Sequence, residues 1–294
     1  MDVSSALSVD ESELRIAGGL YCDIHQGRLR DGTVVAVKTV KPYDYESDEH
    51  WPRRMSEVLN IWTKCHHPNV VKIIGKAQFE GCVTVVYQFH QYQSIRKYLE
   101  HHPTADPYAL SAQICEGMTY LHTNDVVHGC LSGNQIPVLS NGVPRILLSV
   151  ETTTTLAYPF GTEGRTRWTA PELVEPGAQN TMASDVYALG METLTRCPPY
   201  FELLEHEEDE PDDILEIISL GDFPQRPIDI LPETEAGEVI WDILCECWCE
   251  EPTERPTAAN VGHIMYMARP TPDGPVLSPP GTSNGEYMPM EGLE

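Results

Sequence analysis

The sequence predicts an α+β protein in which a strand-rich first part is followed by a larger helical part. Up to about residue 90, apolar and polar residues alternate around Gly and Asp-Gly turns, as in "GTVVAVKTV" and "CVTVVYQF". This alternation is typical of half-buried strands. One helix, expected over about residues 48–65, interrupts the strands. Beyond about residue 91, apolar residues recur at helical spacing, for example Leu110, Ile114, Met118 and Leu121.

The charge balance limits the kinds of partner. With 19 basic and 45 acidic residues among 294, the chain has a formal net charge of −26. Proteins that bind nucleic acids or anionic membrane surfaces do so through positive patches. Neither nucleic acid nor a membrane is therefore expected as a partner. The apolar share of 41% is enough for a sizeable core in a chain of this length.

The N-terminal residues and the cysteines indicate where in the cell the protein is expected, and the C-terminal residues predict a tail. The first residues, "MDVSSALSVDESE", have no basic stretch followed by an apolar one, and no run reaches the roughly 18 apolar residues of a membrane span. Nine scattered cysteines, an odd number, favour reduced thiols and a cytoplasmic location. Residues 269–294 are rich in Pro, Gly and acidic residues, which predicts a disordered tail.

Six motifs carry a resemblance to a known family. "VAVK" places a lysine at position 38, and "HHPNVVKIIG", "YLHTNDVVHG", "RWTAPEL", "SDVYALG" and "CWCEEPTERP" follow in order. Over residues 11–269 their order and spacing resemble a protein kinase domain of the tyrosine-kinase-like group, of a type abundant in fungi. The resemblance implies a bilobal fold: a small five-stranded lobe over residues 1–90, with 1–10 as a leader, and a mainly helical large lobe over residues 91–268.

The residues that hold the large lobe together match the family pattern. In the family, the aspartate matching Asp185 hydrogen-bonds the catalytic-loop backbone, and the arginine matching Arg255 pairs with the glutamate matching Glu172. A partly buried ion pair is costly to break on one side, so these matches indicate a chain that still has to fold. The resemblance assigns structural roles to six residues: His128, Ala170, Pro171, Glu172, Asp185 and Arg255.

The residues of the phosphate chemistry depart from the pattern. "HGCLSGNQ" has Cys130 at the catalytic aspartate, Ser132 at the catalytic-loop lysine and Gln135 at the metal-binding asparagine. Spacing from His128 places Leu148 at the aspartate of the Asp-Phe-Gly motif. Phosphoryl transfer depends on positioning and on Mg²⁺, and Mg²⁺ requires oxygen ligands, which an aliphatic side chain lacks. No catalytic group is therefore expected to be intact, and neither Mg²⁺ nor another metal is expected to bind.

A nucleotide pocket is retained only in part. The pattern assigns to it a lysine, the surviving glycine of the phosphate-covering loop, and three residues of the neighbouring strands and hinge: Lys38, Gly19, Ala36, Tyr87 and Gln88. Tyr87 lies at the gatekeeper position and narrows the back of the pocket. The glutamate that should pair with Lys38 is displaced, because spacing places Val58 there and Glu57 one residue early. The pattern is therefore compatible with ATP binding but does not by itself predict it.

These departures predict a pseudokinase that acts in signalling by protein binding or allostery, with other signalling proteins or an active kinase as partners. The alternative is a slow or atypical active Ser/Thr or Tyr protein kinase whose catalytic groups have migrated. In that case Glu151 is the nearest carboxylate to the lost metal position, and Glu57 moves inward. Because positioning alone lowers a reaction barrier substantially, the sequence leaves this alternative open. A third hypothesis is a decaying duplicate without a selected role, which the matched fold residues disfavour.

Overall fold

A computed structural model describes the chain over residues 2–9, 16–18, 22–40, 51–79, 81–149, 166–174, 178–192, 199–200, 214, 216–218 and 221–269. Within these ranges, strands come before residue 90 and most helices come after it. Three features of the sequence predictions lie outside the described residues: Gly19, Glu151 and the tail beyond Arg269.

An antiparallel sheet forms the small lobe. Its strands are β1 (Leu7–Val9), β2 (Ala17–Gly18), β3 (Cys22–Leu29), β4 (Val34–Val40), β5 (Ile73–Phe79) and β6 (Cys82–Gln88). They are hydrogen-bonded in the order β1-β3-β4-β6-β5, and β2 also pairs with β3. Since β4 lies on the other side of β3, β1 and β2 share one edge of the sheet. The sheet therefore has the five strand positions that the sequence predicts.

The expectation that residues 1–10 form a leader is wrong for residues 2–9. The backbone N–H of Val3 donates to the carbonyl oxygen of Lys76 on β5, at 2.8 Å, and β1 pairs with the C-terminal end of β3. The physical reason is the apolar pattern of "VSSALSV", whose larger side chains pack against the sheet. These side chains are Val3, Leu7 and Val9.

Both faces of the sheet are apolar, because successive side chains of a strand point to opposite sides. One face carries a small buried cluster: Val3, Val35, Val37, Ala77 and Val86. The other face belongs to the main core of the molecule, to which Ile24, Ala36 and Val85 contribute. Helix α1 spans Trp51–Trp62, inside the predicted range of 48–65, and also adds its apolar residues to this core.

The large lobe is built mainly of helices, of which five have described bounds: α2 (Ile95–His101), α3 (Pro107–Thr123), α4 (Met182–Glu192), α5 (Glu235–Cys247) and α6 (Ala258–Met267). α3 begins at a proline, and the Asp106 carboxylate accepts hydrogen bonds from the N–H groups of Tyr108 and Ala109, a favourable N-cap. α4 is buried from Ser184 to Glu192. Its polar side chains must therefore find partners inside the protein.

The lobes are joined by backbone hydrogen bonds as well as by the chain itself. The N–H of Val71 donates to the carbonyl oxygen of Ile146 (2.9 Å), and the N–H of Ile146 donates to that of Asn69 (2.8 Å). The bilobal α+β fold class that the sequence predicts is confirmed. No helix among the described residues is long and apolar enough to cross a membrane.

Candidate functional site

The segment with the catalytic-loop pattern is anchored on α4. The carboxylate of Asp185, in the first turn of α4, accepts hydrogen bonds from the backbone N–H groups of His128 and Gly129, both at 2.7 Å. Nε2 of His122, near the end of α3, lies 3.0 Å from the same carboxylate. Three donors satisfy this buried carboxylate. The structure therefore brings Asp185 and His128 together and fixes the course of the loop that follows them.

The imidazole of His128 ties this loop to the segment before Leu148. The backbone N–H of Cys130 donates to Nδ1 of His128 at 3.2 Å, so Nδ1 is the acceptor and the proton is assigned to Nε2. Nε2 then donates to the carbonyl oxygen of Leu147 at 3.2 Å. The N–H of Leu147 donates to the carbonyl oxygen of Gln135 at 2.7 Å. These bonds hold the backbone of residue 148 beside the catalytic loop.

The family pattern assigns the magnesium-binding aspartate to position 148, where this chain has Leu148. Its side chain is 1% exposed and lies in the main core, and Ser149 is also buried. Gln135 keeps an amide oxygen, Oε1, which is buried and has no hydrogen-bond partner among the described residues. One neutral oxygen does not make a site for a cation that demands nearly octahedral oxygen coordination. No group of three or more His, Cys, Asp or Glu side chains in the described ranges is suited to a metal, so these residues do not fit Mg²⁺.

The other two loop positions also lack the expected chemical groups. Cys130, at the position of the catalytic base, is a half-buried reduced cysteine, and a thiol is a much weaker hydrogen-bond acceptor than a carboxylate. Ser132 is buried at the start of the short turn Gly133–Gln135. Its carbonyl oxygen accepts a hydrogen bond from the N–H of Gln135 at 2.8 Å, but its side chain carries no charge to steady a phosphate. The backbone of the loop is thus held by hydrogen bonds, and positions 130 and 132 carry a thiol and a hydroxyl where the family pattern has a carboxylate and an amine.

Lys38 is buried in the sheet without the partner that the family pattern assigns to it. It lies on β4 between Ile24 of β3 and Val85 of β6 and is 5% exposed. Helix α1 buries Val58 completely, whereas Glu57 is exposed. An offset of one residue rotates a helical side chain by about 100°, which turns the carboxylate away from the sheet. None of the ion pairs within the described part of the chain includes Lys38.

Tyr87 is the residue that the family pattern assigns to the back of the nucleotide cleft. It lies opposite Ala36 on the adjacent strand, both side chains are completely buried, and Oη of Tyr87 has no hydrogen-bond partner among the described residues. Burial raises the pKa of Tyr87 well above its usual range, so the phenol stays neutral. Gln88 follows at the hinge, where its Oε1 accepts a hydrogen bond from Nη1 of Arg145 at 2.8 Å. Strands β4 and β6 thus bring together Lys38, Ala36, Tyr87 and Gln88.

Sequence reasoning missed a buried histidine in the hinge. His90 is completely buried, and neither ring nitrogen has hydrogen-bonding geometry with a described residue. Burial, with a smaller effect of the Arg145 charge, lowers the pKa of His90 to about 4, against a weaker opposing effect of the Gln88 backbone. The imidazole is therefore neutral at physiological pH. The sequence places His90 three residues after Tyr87, which predicts a location near the hinge but does not predict burial.

The base of the large lobe carries a fully bonded ion pair. Nη1 and Nη2 of Arg255 each donate to one oxygen of Glu172 at 2.7 Å, and the guanidinium lies 5.2 Å from the ring centre of Tyr187. Three backbone carbonyl oxygens accept further bonds from the same guanidinium. Glu172 is placed by a short turn that begins at Pro171, directly after the buried Ala170. This cluster secures the segment that carries Glu172 to the rest of the lobe.

Comparison with known protein families agrees with this geometry. A family described as "Protein tyrosine and serine/threonine kinase" matches residues 11–265, which is most of the chain. The chain belongs to the protein kinase family.

Relatives of both kinase types are similar to the chain. "Mitogen-activated protein kinase kinase kinase 1a" of Physcomitrium patens is 25% identical over 280 residues, covering 92% of this chain and 34% of that protein. "Putative serine/threonine-protein kinase/receptor R826" of Acanthamoeba polyphaga mimivirus is 27% identical over 282 residues, covering 88% and 16%. "Tyrosine-protein kinase SRK3" of Spongilla lacustris is 26% identical over 267 residues, covering 85% and 74%. The chain therefore spans about a third of the moss protein and about a sixth of the viral one.

Proposed function

We propose that the chain is a pseudokinase of the tyrosine-kinase-like type, which acts in signalling through the proteins that bind it. The observation that carries this proposal is Leu148, an aliphatic side chain 1% exposed at the place of the principal metal ligand. The backbone before it is bonded to both His128 and Gln135, so a small side-chain movement cannot bring an oxygen to this place. Without Mg²⁺ the charge that develops between the phosphates is not neutralised.

Two further departures support the same proposal. Cys130 replaces the base, and Val58 replaces the glutamate that would orient Lys38. The three losses affect different parts of the reaction: the attacking hydroxyl, the metal and the lysine that contacts phosphate. Other signalling proteins or an active kinase are the proposed partners. The fungal affinity rests on the resemblance of the motifs, and the cytoplasmic location rests on the scattered cysteines.

A slow or atypical active kinase is the second candidate, and two observations favour it. Lys38 is retained and buried, and Oε1 of Gln135 is a buried acceptor without a partner among the described residues. The similar proteins are also named as kinases. In this candidate Lys38 contacts the phosphates of ATP, and Gln135 and Glu151 supply oxygens. ATP supplies the phosphoryl group that is transferred.

Thermal unfolding with and without ATP, each with and without Mg²⁺, separates the two candidates. A ligand at a hundredfold excess over its Kd stabilises the folded state by about 2.7 kcal/mol, which raises the midpoint of a domain of this size by roughly 2–4 °C. We expect no shift, or a shift that is independent of Mg²⁺ and lost in Lys38→Met. A shift that requires Mg²⁺ would contradict the pseudokinase proposal.

Phosphate incorporation from labelled ATP provides the second measurement. We expect no incorporation in the wild type and none in Cys130→Asp, because Leu148 still denies the metal an oxygen. Incorporation that requires Mg²⁺ and is abolished by Lys38→Met and by Glu151→Ala would favour the active kinase. Recovery of activity in Cys130→Asp alone would show that the argument from Leu148 is wrong.

A further inference from the structure

The N-terminal residues 2–9 connect the two edges of the small-lobe sheet. At one edge, Asp2 forms a parallel bridge with Lys76 of β5. A short turn, Ser4–Ala6, then leads to β1, which pairs with β3 at the other edge. The apolar side chains of this segment pack on the small buried cluster between these edges. Residues 2–9, called the N-terminal strap below, therefore close the sheet across one of its faces.

Ser8 is the residue of the N-terminal strap that lies directly opposite an arginine. Leu7 and Val9 pack against the small cluster, and successive strand residues point to opposite sides of a sheet, so the Ser8 side chain points away from it. Its partner in the register of β1 and β3 is Arg28. The Cβ atoms of such a pair lie about 4.5–5.5 Å apart, and both residues are exposed. A hydroxyl and a guanidinium are therefore neighbours on the surface.

Two arginines at the end of β3 have no acidic partner in the described part of the chain. Arg28, and Arg30 in the turn that follows β3, are both exposed, and none of the ion pairs of the described residues includes either. The carboxylate of the same turn, Asp31, already accepts a hydrogen bond from the N–H of Thr33 at 2.9 Å. The two guanidinium groups can therefore bind an anion placed at Ser8.

We propose that Ser8 is a phosphorylation site, whose phosphate binds Arg28 and Arg30 and fastens the N-terminal strap to β3. A phosphoserine carries about −1.5 to −2 charges at pH 7 and three strong acceptor oxygens, and the planar guanidinium fork matches these oxygens. Because the strap holds both edges of the sheet, a tighter contact at Ser8 should stabilise the small lobe in its closed form.

Another serine kinase supplies the phosphate, so the proposal is independent of which candidate function is right. Oγ of Ser8 attacks the γ-phosphorus of ATP, the bond from that phosphorus to ADP breaks, and the hydroxyl proton is released. Three of the next five residues are acidic, which favours a kinase with a basic substrate groove: Asp10, Glu11 and Glu13. They also repel a phosphate, and measurements on the full chain include this repulsion.

The first test is hydrogen exchange of the full chain with phosphoserine installed at position 8 during translation. We expect the backbone amides of residues 2–9 to exchange at least about threefold more slowly than in the unphosphorylated chain, because a fastened segment opens less often. Phosphoserine at Ser5 is the matched control, since Ser5 is exposed in the same strap but is not paired with β3. Equal exchange with and without the phosphate at Ser8, or the same slowing from Ser5, would overturn the proposal.

Charge reversal of Arg28 separates phosphate binding from a structural role of the arginine. In Arg28→Glu the phosphate should speed the exchange of the strap, because like charges then face each other, and the unphosphorylated variant shows the effect of the arginine alone. The phosphorus NMR titration of the phosphoserine, with an ordinary pKa of about 6, should have a lower midpoint in the wild type than in Arg28→Glu. Equal midpoints, or the same phosphate effect in both chains, would contradict binding to Arg28. Arg30→Gln should lose part of the slowing, and unchanged slowing would contradict the role of Arg30.

The last measurement uses a serine kinase that phosphorylates Ser8 in a synthetic peptide of residues 1–16. We expect the same kinase to phosphorylate Ser8 in the folded chain, because β1 is an exposed strand of three residues at the sheet edge, and such segments open locally. Mass spectrometry locates the phosphate, with Ser8→Ala as the control. A folded chain without phosphate at Ser8 would show that the site is closed to a kinase, and the proposal would be wrong.

Discussion

The base of the large lobe contains charged residues with hydrogen-bond partners, whereas the cleft has apolar residues at positions where the family pattern has charged ones. At the base, Asp185 and Arg255 are buried charges and Glu172 is a partly buried one, and the protein supplies hydrogen-bond partners to all three. In the cleft, Leu148 and Val58 are apolar and fully packed at positions where the family pattern has carboxylates. The two regions are joined by the catalytic loop, since Asp185 holds its backbone from one side and Leu147 from the other.

The difference indicates which partners each charge needs. A buried charge is tolerated when fixed donors or an opposite charge surround it. The groups at the base meet this condition in the folded chain alone, whereas the aspartate that the family pattern assigns to position 148 meets it only when a metal ion is bound. In a chain that does not bind the metal, apolar side chains at these positions join the core and stabilise it. Lys38 is the exception, because it is a charged residue that is buried in the cleft and belongs to none of the ion pairs of the described residues.

The largest expected effect is the loss of Asp185. Asp185→Ala removes the acceptor of the buried N–H of His128 and of the partly buried N–H of Gly129, so we expect a loss of about 3–5 kcal/mol in the free energy of unfolding. The measurement is denaturant unfolding of the wild type and the variant. Glu100→Ala is the control, because an exposed side chain on α2 should change the free energy by less than about 0.5 kcal/mol. If Asp185→Ala lowered the free energy of unfolding as little as the control does, the hydrogen bonds of Asp185 would not stabilise the large lobe as the comparison implies.

A carboxylate restored to the cleft should destabilise the protein. Leu148→Asp places a carboxylate in the main core, where Leu148 is 1% exposed, and we expect a loss of about 3 kcal/mol in the free energy of unfolding. Leu148→Asn has a similar volume without the charge and separates the cost of charge from the cost of packing. Both variants are measured by denaturant unfolding with and without Mg²⁺. If Mg²⁺ restores the stability of Leu148→Asp but not of Leu148→Asn, the cleft provides the other ligands of a metal site. The contrast drawn here between the cleft and the base would then be wrong.

The pH dependence of stability distinguishes the hinge from the large lobe. His90 has a pKa lowered from 6.5 to about 4, so the unfolded chain binds more protons in this window. Its contribution is present above pH 6.5 and is lost as the pH falls towards 4. Glu192 has a pKa raised by burial from 4.5 to about 7, so its contribution is present below pH 4.5 and is lost as the pH rises through 7. Each is worth on the order of 3 kcal/mol.

Between pH 4.5 and 6.5 the stability contributions of His90 and Glu192 change in opposite directions with pH. A variant that lacks one of the two groups should therefore show the pH dependence of the other. We expect His90→Leu to lose stability as the pH rises through this window, and Glu192→Gln to gain stability over the same range. The measurement is denaturant unfolding at several pH values, and each slope is compared with that of the wild type. Parallel profiles for the wild type and both variants would show that neither buried group titrates as its surroundings imply.

Several elements could be predicted from sequence because their signals are local. The alternation in β4 and β6, the helical spacing in α3 and the six ordered motifs each depend on neighbouring residues. The N-terminal segment 2–9 was harder to place, because three spaced apolar residues indicate a strand only when a sheet is there to receive them. Glu192 did leave a signal: it lies seven residues after Asp185, hence on the same face of a helix otherwise rich in apolar residues. Such a pattern indicates a carboxylate that the protein must bury.

By itself, the sequence determined the kinase fold and the residue types at the positions where the family pattern has catalytic groups, because both follow from which residue types stand at which spacing. Tertiary structure decided which charges have partners. It showed that Leu148 and Val58 are packed in the core, that His90 is buried in the hinge, and that Glu192 is pressed between Gly133 and Trp168. Burial and hydrogen bonding depend on residues far apart in the chain, and these contacts determine the free energy of a charge far more than its local sequence does.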